Sequence, residues 1–224
     1  MHERELSAKT AAAVEEAGAA GNSAERLLLF TDAVAAIAIT LLVLPLVDIV
    51  PSAVEEHVAA TEVISGHLAQ IGSFILSFAV IARLWLTHHR VFAMVVSHRR
   101  SLVVWNMAWL LAIVVLPFPT EMAGAFGSSR FVAVMYYLNV LAAFVCQTVM
   151  TAILRAHPAM VRGSSARMRE YLFTGIVNTT ALVVALAIAL GVPALQYYSL
   201  LLLAVDPAVS RLRRSLRMHW AASV

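Results

Sequence analysis

The chain has 224 residues, 61% of them hydrophobic and only 13% charged, with a formal net charge of +3. Soluble domains carry about 25% charged residues, so this composition, at a mean hydropathy of +0.84, excludes an ordinary soluble domain and defines a polytopic membrane protein. The basic residues sit in short clusters between apolar runs, as in loops on one membrane face, which excludes nucleic acid as a partner.

Residues 1–25 are rich in Ala and Glu and lack the basic stretch, short apolar core and cleavage site of a signal peptide. They read as a cytoplasmic tail, partly disordered or loosely helical. Asn22 with Glu25 three residues on resembles a capping box that opens the first helix.

The first apolar run, 27–47, reaches the roughly 17 to 25 residues that cross a bilayer and begins Arg26-Leu-Leu-Leu-Phe30-Thr31-Asp32. An ionisable side chain facing lipid costs on the order of a few kcal/mol, so Asp32 is expected to face protein or water. At about 100° per residue, Arg26, Phe30, Ala33, Ile37, Thr40, Leu41 and Leu44 share one stripe, and Asp32 lies roughly a third of a turn away. The loop at 48–66 carries Asp48, Glu55, Glu56 and Glu62 and no Lys or Arg, an acidic outer segment able to concentrate cations.

In the second run, 67–86, Ser73, Ser77, Val80, Leu84 and His88 recur at helical spacing, with Arg83, Trp85, His89 and Arg90 near the cytoplasmic end. These polar groups fall at the depth of Arg26 and Asp32. Charge-assisted hydrogen bonds best offset desolvation, so Asp32 is expected to accept from His88 or His89, or from Trp105 or Asn106 at the start of the third run, 102–119. Arg90, Arg99, Arg100 and Trp109 read as headgroup-level anchors. Pro117 and Pro119 are expected to end the third helix and shape a loop.

Three further runs follow at 131–154, 171–191 and 193–209, the last two separated by Gly191, Val192 and Pro193. Cys146, the only cysteine, lies inside the fourth and reads as a buried, inert thiol. Asp206, near the end of the sixth, is expected to pair with Arg211 or its neighbours. Arginines concentrate at 87–101, 155–170 and 211–217, whereas 48–66 and 191–193 have none. The positive-inside rule therefore places both termini in the cytoplasm.

Neither metal nor catalytic chemistry is completed. His88 and His89 are adjacent and point about 100° apart on a helix, and with His98 and His157 they lack the carboxylates of a di-metal site. Ser77, His88 and Asp32 could be imagined as a triad, but no Gly-x-Ser-x-Gly elbow is present.

The residues Arg26-x-x-x-Phe30-Thr31-Asp32 with Ala36-Ile37-x-x-Thr40-Leu41-Leu42 resemble the first-helix hallmark of bacterial members of the transmembrane protein 175 family of potassium channels. Ser77-Phe78-x-Val80-Ile81-x-x-x-Trp85-x-x-His88-His89-x-x-Phe92, then Asn106 and Pro117-Phe118-x-Thr120, are similar to its second and third helices. Thr31 stands where the family usually has serine.

That resemblance implies an all-α polytopic membrane protein, six transmembrane helices per subunit, in a homotetramer whose first helices line a central pore. It implies a potassium-favouring cation channel in the bacterial inner membrane, not an enzyme, with no cofactor besides the permeant potassium ions and with the bilayer and its own copies as partners. Ile37 would form a hydrophobic gate, with Thr40, Leu41 and Leu44 beside it. Arg26, Phe30, Thr31, Asp32, Trp85, His88, His89 and Asn106 would form a structural network. Residues 26–209 are then the channel domain, between a tail at 1–25 and a basic tail at 210–224. A proton- or cation-coupled secondary transporter is the alternative; it would use Asp32, Asp206 and the histidines, but the chain shows no inverted repeat.

Overall fold

The computed structural model describes the backbone of residues 2–127 and 129–191, with side chains from residue 22 onward. In chain order its helices are α1 (His2–Leu41), α2 (Leu44–Glu55), α3 (Ala60–Gly66), α4 (Leu68–Phe92), α5 (Arg100–Val115), α6 (Pro117–Ala125), α7 (Arg130–Ala156) and α8 (Ser165–Gly191), with a 3-10 turn at Pro158–Met160 before α8. Five stretches among the described residues are long and apolar enough to span a bilayer: Asn22–Glu55, Leu68–Phe92, Arg100–Ala125, Arg130–Ala156 and Ser165–Gly191. The sixth expected run, with Asp206 and Arg211, lies outside the described residues.

Several boundaries differ from the expectation for physical reasons. The helix α1 is continuous from His2 through Asn22, so Asn22 is interior and caps nothing; strong helix formers such as Ala, Glu and Arg dominate the segment. At about 1.5 Å per residue, the 40 residues of α1 extend far beyond the apolar thickness of a bilayer.

The first span is not one helix to residue 47. Pro45 has no N–H and its ring crowds the carbonyl four residues back, that of Leu41, where α1 stops; Leu46 N and Val47 N then bond to Val43 O and restart the helix. The acidic segment at 48–66 is largely helical, through α2 and α3, rather than a loop. Pro117 and Pro119 likewise interrupt rather than terminate. After a break at Leu116 the chain resumes as α6, with Pro117 at a position where a missing N–H costs nothing.

Helix α7 is the hub. It packs on α8, α5, α6 and α4, and half of its most apolar stretch is buried (50%), against 17% for the first span. Ser129 caps its start by accepting from Val132 N. Arg130 donates to Leu190 O at 2.6 Å, placing a cation at the C-terminal end of α8 where free carbonyls concentrate negative charge. Helix α1 lies across α4 and α5, and that crossing contains the polar site.

Candidate functional site

The two faces of α1 have opposite fates. Thr31, Ala35, Ala38 and Leu42 are buried; the small Thr31, Ala35 and Ala38 let α1 approach its neighbours closely. Arg26, Phe30, Ala33, Ile37, Thr40 and Leu41 are exposed on the subunit, Ile37 at 59%. Leu44 is exposed as well, but it follows the break at residues 42–43, so its alignment with the stripe does not follow from the angle of one continuous helix. The Thr40 hydroxyl donates to Ile37 O at 2.8 Å. Its proton is therefore committed to its own helix, and the group presents outward oxygen lone pairs, which suit a cation.

The buried face is held by two separate polar clusters. In the first, Trp85 Nε1 donates to Asp32 Oδ1 at 2.8 Å and His89 Nδ1 donates to Asp32 Oδ2 at 2.9 Å. Both carboxylate oxygens are thus turned toward α4 and away from the Ile37 stripe.

In the second, His88 Nε2 donates to Asn106 Oδ1 at 2.7 Å, Asn106 Nδ2 donates to Thr31 Oγ1 at 2.8 Å, and Thr31 Oγ1 donates to Leu27 O at 2.8 Å. Thr31, His88 and Asn106 are all buried, and this relay ties α1, α4 and α5 together. Thr31 uses only its hydroxyl in these bonds, so it makes the connections a serine would make.

The structure brings Thr31, Asp32, Trp85, His88, His89 and Asn106 together in these two clusters. It leaves Arg26 and Phe30 outside them: both are exposed, and among the described residues Arg26 forms no hydrogen bond or ion pair. Asp32 takes neither His88, Asn106 nor Trp105 as a partner. The roughly 100° between adjacent helical residues sends His89 to Asp32 and His88 into the core. There His88 stacks between Phe92, at 4.0 Å between centroids, and Trp109, at 4.4 Å. Trp109 is fully buried, a core residue and not a headgroup anchor. Arg99 also does more than mark the membrane surface, because its guanidinium contacts His157 Nε2.

Ser77, His88 and Asp32 are not joined. Ser77 Oγ instead lies 3.0 Å from the Tyr136 hydroxyl and 2.7 Å from Thr120 Oγ1, and Thr120 donates to Leu116 O at 2.8 Å. No group of three metal-ligating side chains occurs among the described residues. Sequence reasoning missed the part played by α7, where Tyr136, Asn139 and Gln147 reach Ser77, Ala112 O and Leu84 O respectively. The available signal was an isolated polar residue in an apolar span, which must find a partner in lipid.

These features define a multi-pass α-helical membrane protein whose first helix is fixed by polar bonds on one side and left apolar and exposed on the other. Residues 26–117 match the family described as endosomal/lysosomal potassium channel TMEM175, a similarity that takes in the first three candidate spans.

Among curated relatives, the chain is 34% identical over 97 residues to a potassium channel of Chamaesiphon minutus, covering 43% of this chain and 47% of that protein. It is 30% identical over 125 residues to a potassium channel of Streptomyces collinus, covering 54% and 59%. The matches thus span about half the length of these relatives. In fold, the chain is similar to a lysosomal potassium-selective channel TMEM175 homolog from Chamaesiphon minutus, with TM-score 0.70 and 23% identity over 84% of this chain and 98% of that one. It is also similar to a variant of the potassium channel MtTMEM175 in complex with a nanobody–MBP fusion, with TM-score 0.54 and 16% identity over 89% and 94%.

Proposed function

We propose that the chain is the subunit of a passive, potassium-favouring cation channel, a homotetramer in a bacterial inner membrane with both termini cytoplasmic and four α1 helices around the pore. The observation that carries this reading is the division of α1. One face is bonded into the subunit through Thr31 and Asp32, while Ile37, Thr40 and Leu41 stand exposed on the other. A mostly apolar stripe repeated around an axis makes a narrow path that gates by constriction or dewetting. Four Ile37 side chains form that constriction, with Leu41 and Leu44 further outward.

The Thr40 oxygens, already turned outward as acceptors, fit a cation. Selectivity then follows from the lower dehydration cost of potassium relative to sodium. Residues 26–209 form the channel domain, with α1 carrying its helix onward into the tail at 1–25.

The test is potassium and sodium flux into liposomes that hold the purified protein. The reading requires passive flux that follows the electrochemical gradient and favours potassium. Uptake that saturates and depends on a counter-ion would replace it with coupled transport.

A further inference from the structure

The two ends of the bundle carry opposite charge. One holds Asp48, Glu56, Glu62 and Glu121 around a cavity of about 440 Å³. The other holds the turns α4–α5 and α7–α8, which are pinned to each other: Val96 N donates to Met160 O at 2.9 Å, Arg162 N donates to Met94 O at 2.7 Å, and Arg99 contacts His157. Gly163, at φ +132°, allows the second turn to fold back against Met94. Two segments far apart in sequence thereby become one platform.

That platform carries Arg99, Arg100, Arg155, Arg162, Arg167 and Arg169, all exposed. Within 88–109 and 150–170 the only carboxylate is Glu170, and among the described residues none of these arginines forms an ion pair. Arg99 and Arg100 stand at the start of α5, Arg155 in the last turn of α7, and Arg167 and Arg169 in the first turns of α8. Each is therefore at the end of a candidate span, the depth of lipid phosphates.

We propose that this two-turn arginine platform binds the headgroups of anionic phospholipids. A guanidinium offers a planar fork that fits two phosphate oxygens, and juxtamembrane clusters of four to eight basic residues are the general form of such recognition.

The test is native mass spectrometry of the full-length protein in neutral mixed micelles titrated with phosphatidylglycerol or phosphatidylcholine, with inorganic phosphate as a separate arm. Phosphatidylglycerol is retained at least tenfold more tightly than phosphatidylcholine, and the preference shrinks with added salt. The triple variant Arg99→Gln/Arg162→Gln/Arg167→Gln loses it, at roughly fivefold per neutralised arginine, and Arg→Lys at the same positions keeps most of it.

Equal retention of the two lipids, or a preference that survives the triple Gln variant, would overturn the proposal; binding of inorganic phosphate without phosphatidylglycerol would reassign the platform to free anions. If the triple variant fails to fold, a salt-insensitive wild-type preference would overturn it alone. Ion flux is not read in this experiment, so failure of the channel reading leaves the outcome intact.

Discussion

Asn139 of α7 donates through its Nδ2 to Ala112 O of α5 at 2.9 Å. In an unbroken helix that carbonyl would accept from Leu116 N, but ahead of Pro117 the Leu116 N–H turns to Ile113 O instead. The break between α5 and α6 therefore orphans one carbonyl in the membrane, and a neighbouring helix supplies the missing donor. Leu116 O, by contrast, keeps its backbone bond from Thr120 N at 3.1 Å and accepts the Thr120 hydroxyl as a second donor.

Removing that donor should be costly. Asn139→Leu keeps the bulk but leaves Ala112 O without a partner, a loss of about 1–3 kcal/mol for a buried unsatisfied group. A thermal melt of the purified protein should show a clearly lowered midpoint; an unchanged midpoint would mean that water or a rearranged α6 satisfies the carbonyl.

Thr31 tests the buried relay at single-atom resolution. Thr31→Ser preserves the hydroxyl that accepts from Asn106 and donates to Leu27 O, and removes one methyl, worth about 1 kcal/mol or less. Thr31→Val keeps the shape and strands the Asn106 amide, with a cost of about 1–3 kcal/mol. The Val variant should melt well below the Ser variant, and the reverse order would show that methyl packing outweighs the hydrogen bonds.

Asp32 is expected to hold α1 in rotation rather than to meet ions. Asp32→Ala strips the acceptor from Trp85 and His89 together, so the yield of assembled protein in size-exclusion chromatography should fall. An assembled Asp32→Ala protein of normal stability that differs only in ion preference would refute this division of labour.

Glycine spacing gives a further contrast. A Cβ on Gly124 would lie 3.0 Å from the Gln70 Cα and 3.0 Å from Ser73 Oγ, whereas one on Gly72 would meet nothing within 4 Å. Gly124→Ala must push α6 off α4 and should lower the melting midpoint by several degrees, consistent with about 1–3 kcal/mol of overpacking. Gly72→Ala should be neutral or better, as Ala is the stronger helix former.

The spans were legible because lipid leaves a chain little choice: apolar runs must be helical to satisfy their backbone. The recruitment of Asp32 by α4 was legible for a related reason, since a carboxylate at that depth needs donors and α4 offered them. Which donor served was not. His88 and His89 differ only in rotation about α4, and that rotation is set by the stacking of His88 on Trp109. Trp109 lies midway along α5 rather than at a span's end, and its depth in the helix is what puts it in the core instead of among headgroups. The break at residues 42–43 was written in Pro45, whose ring excludes the Leu41 carbonyl, but the strong apolar run masked it.

The most direct measurement is the ratio of potassium to sodium flux in liposomes for the wild-type protein and for Ile37→Ala. Passive, potassium-favouring flux is expected in the wild type, and faster flux with reduced discrimination once the constriction is trimmed. Flux and discrimination unchanged by Ile37→Ala would contradict that expectation and move the pore away from the exposed face of α1.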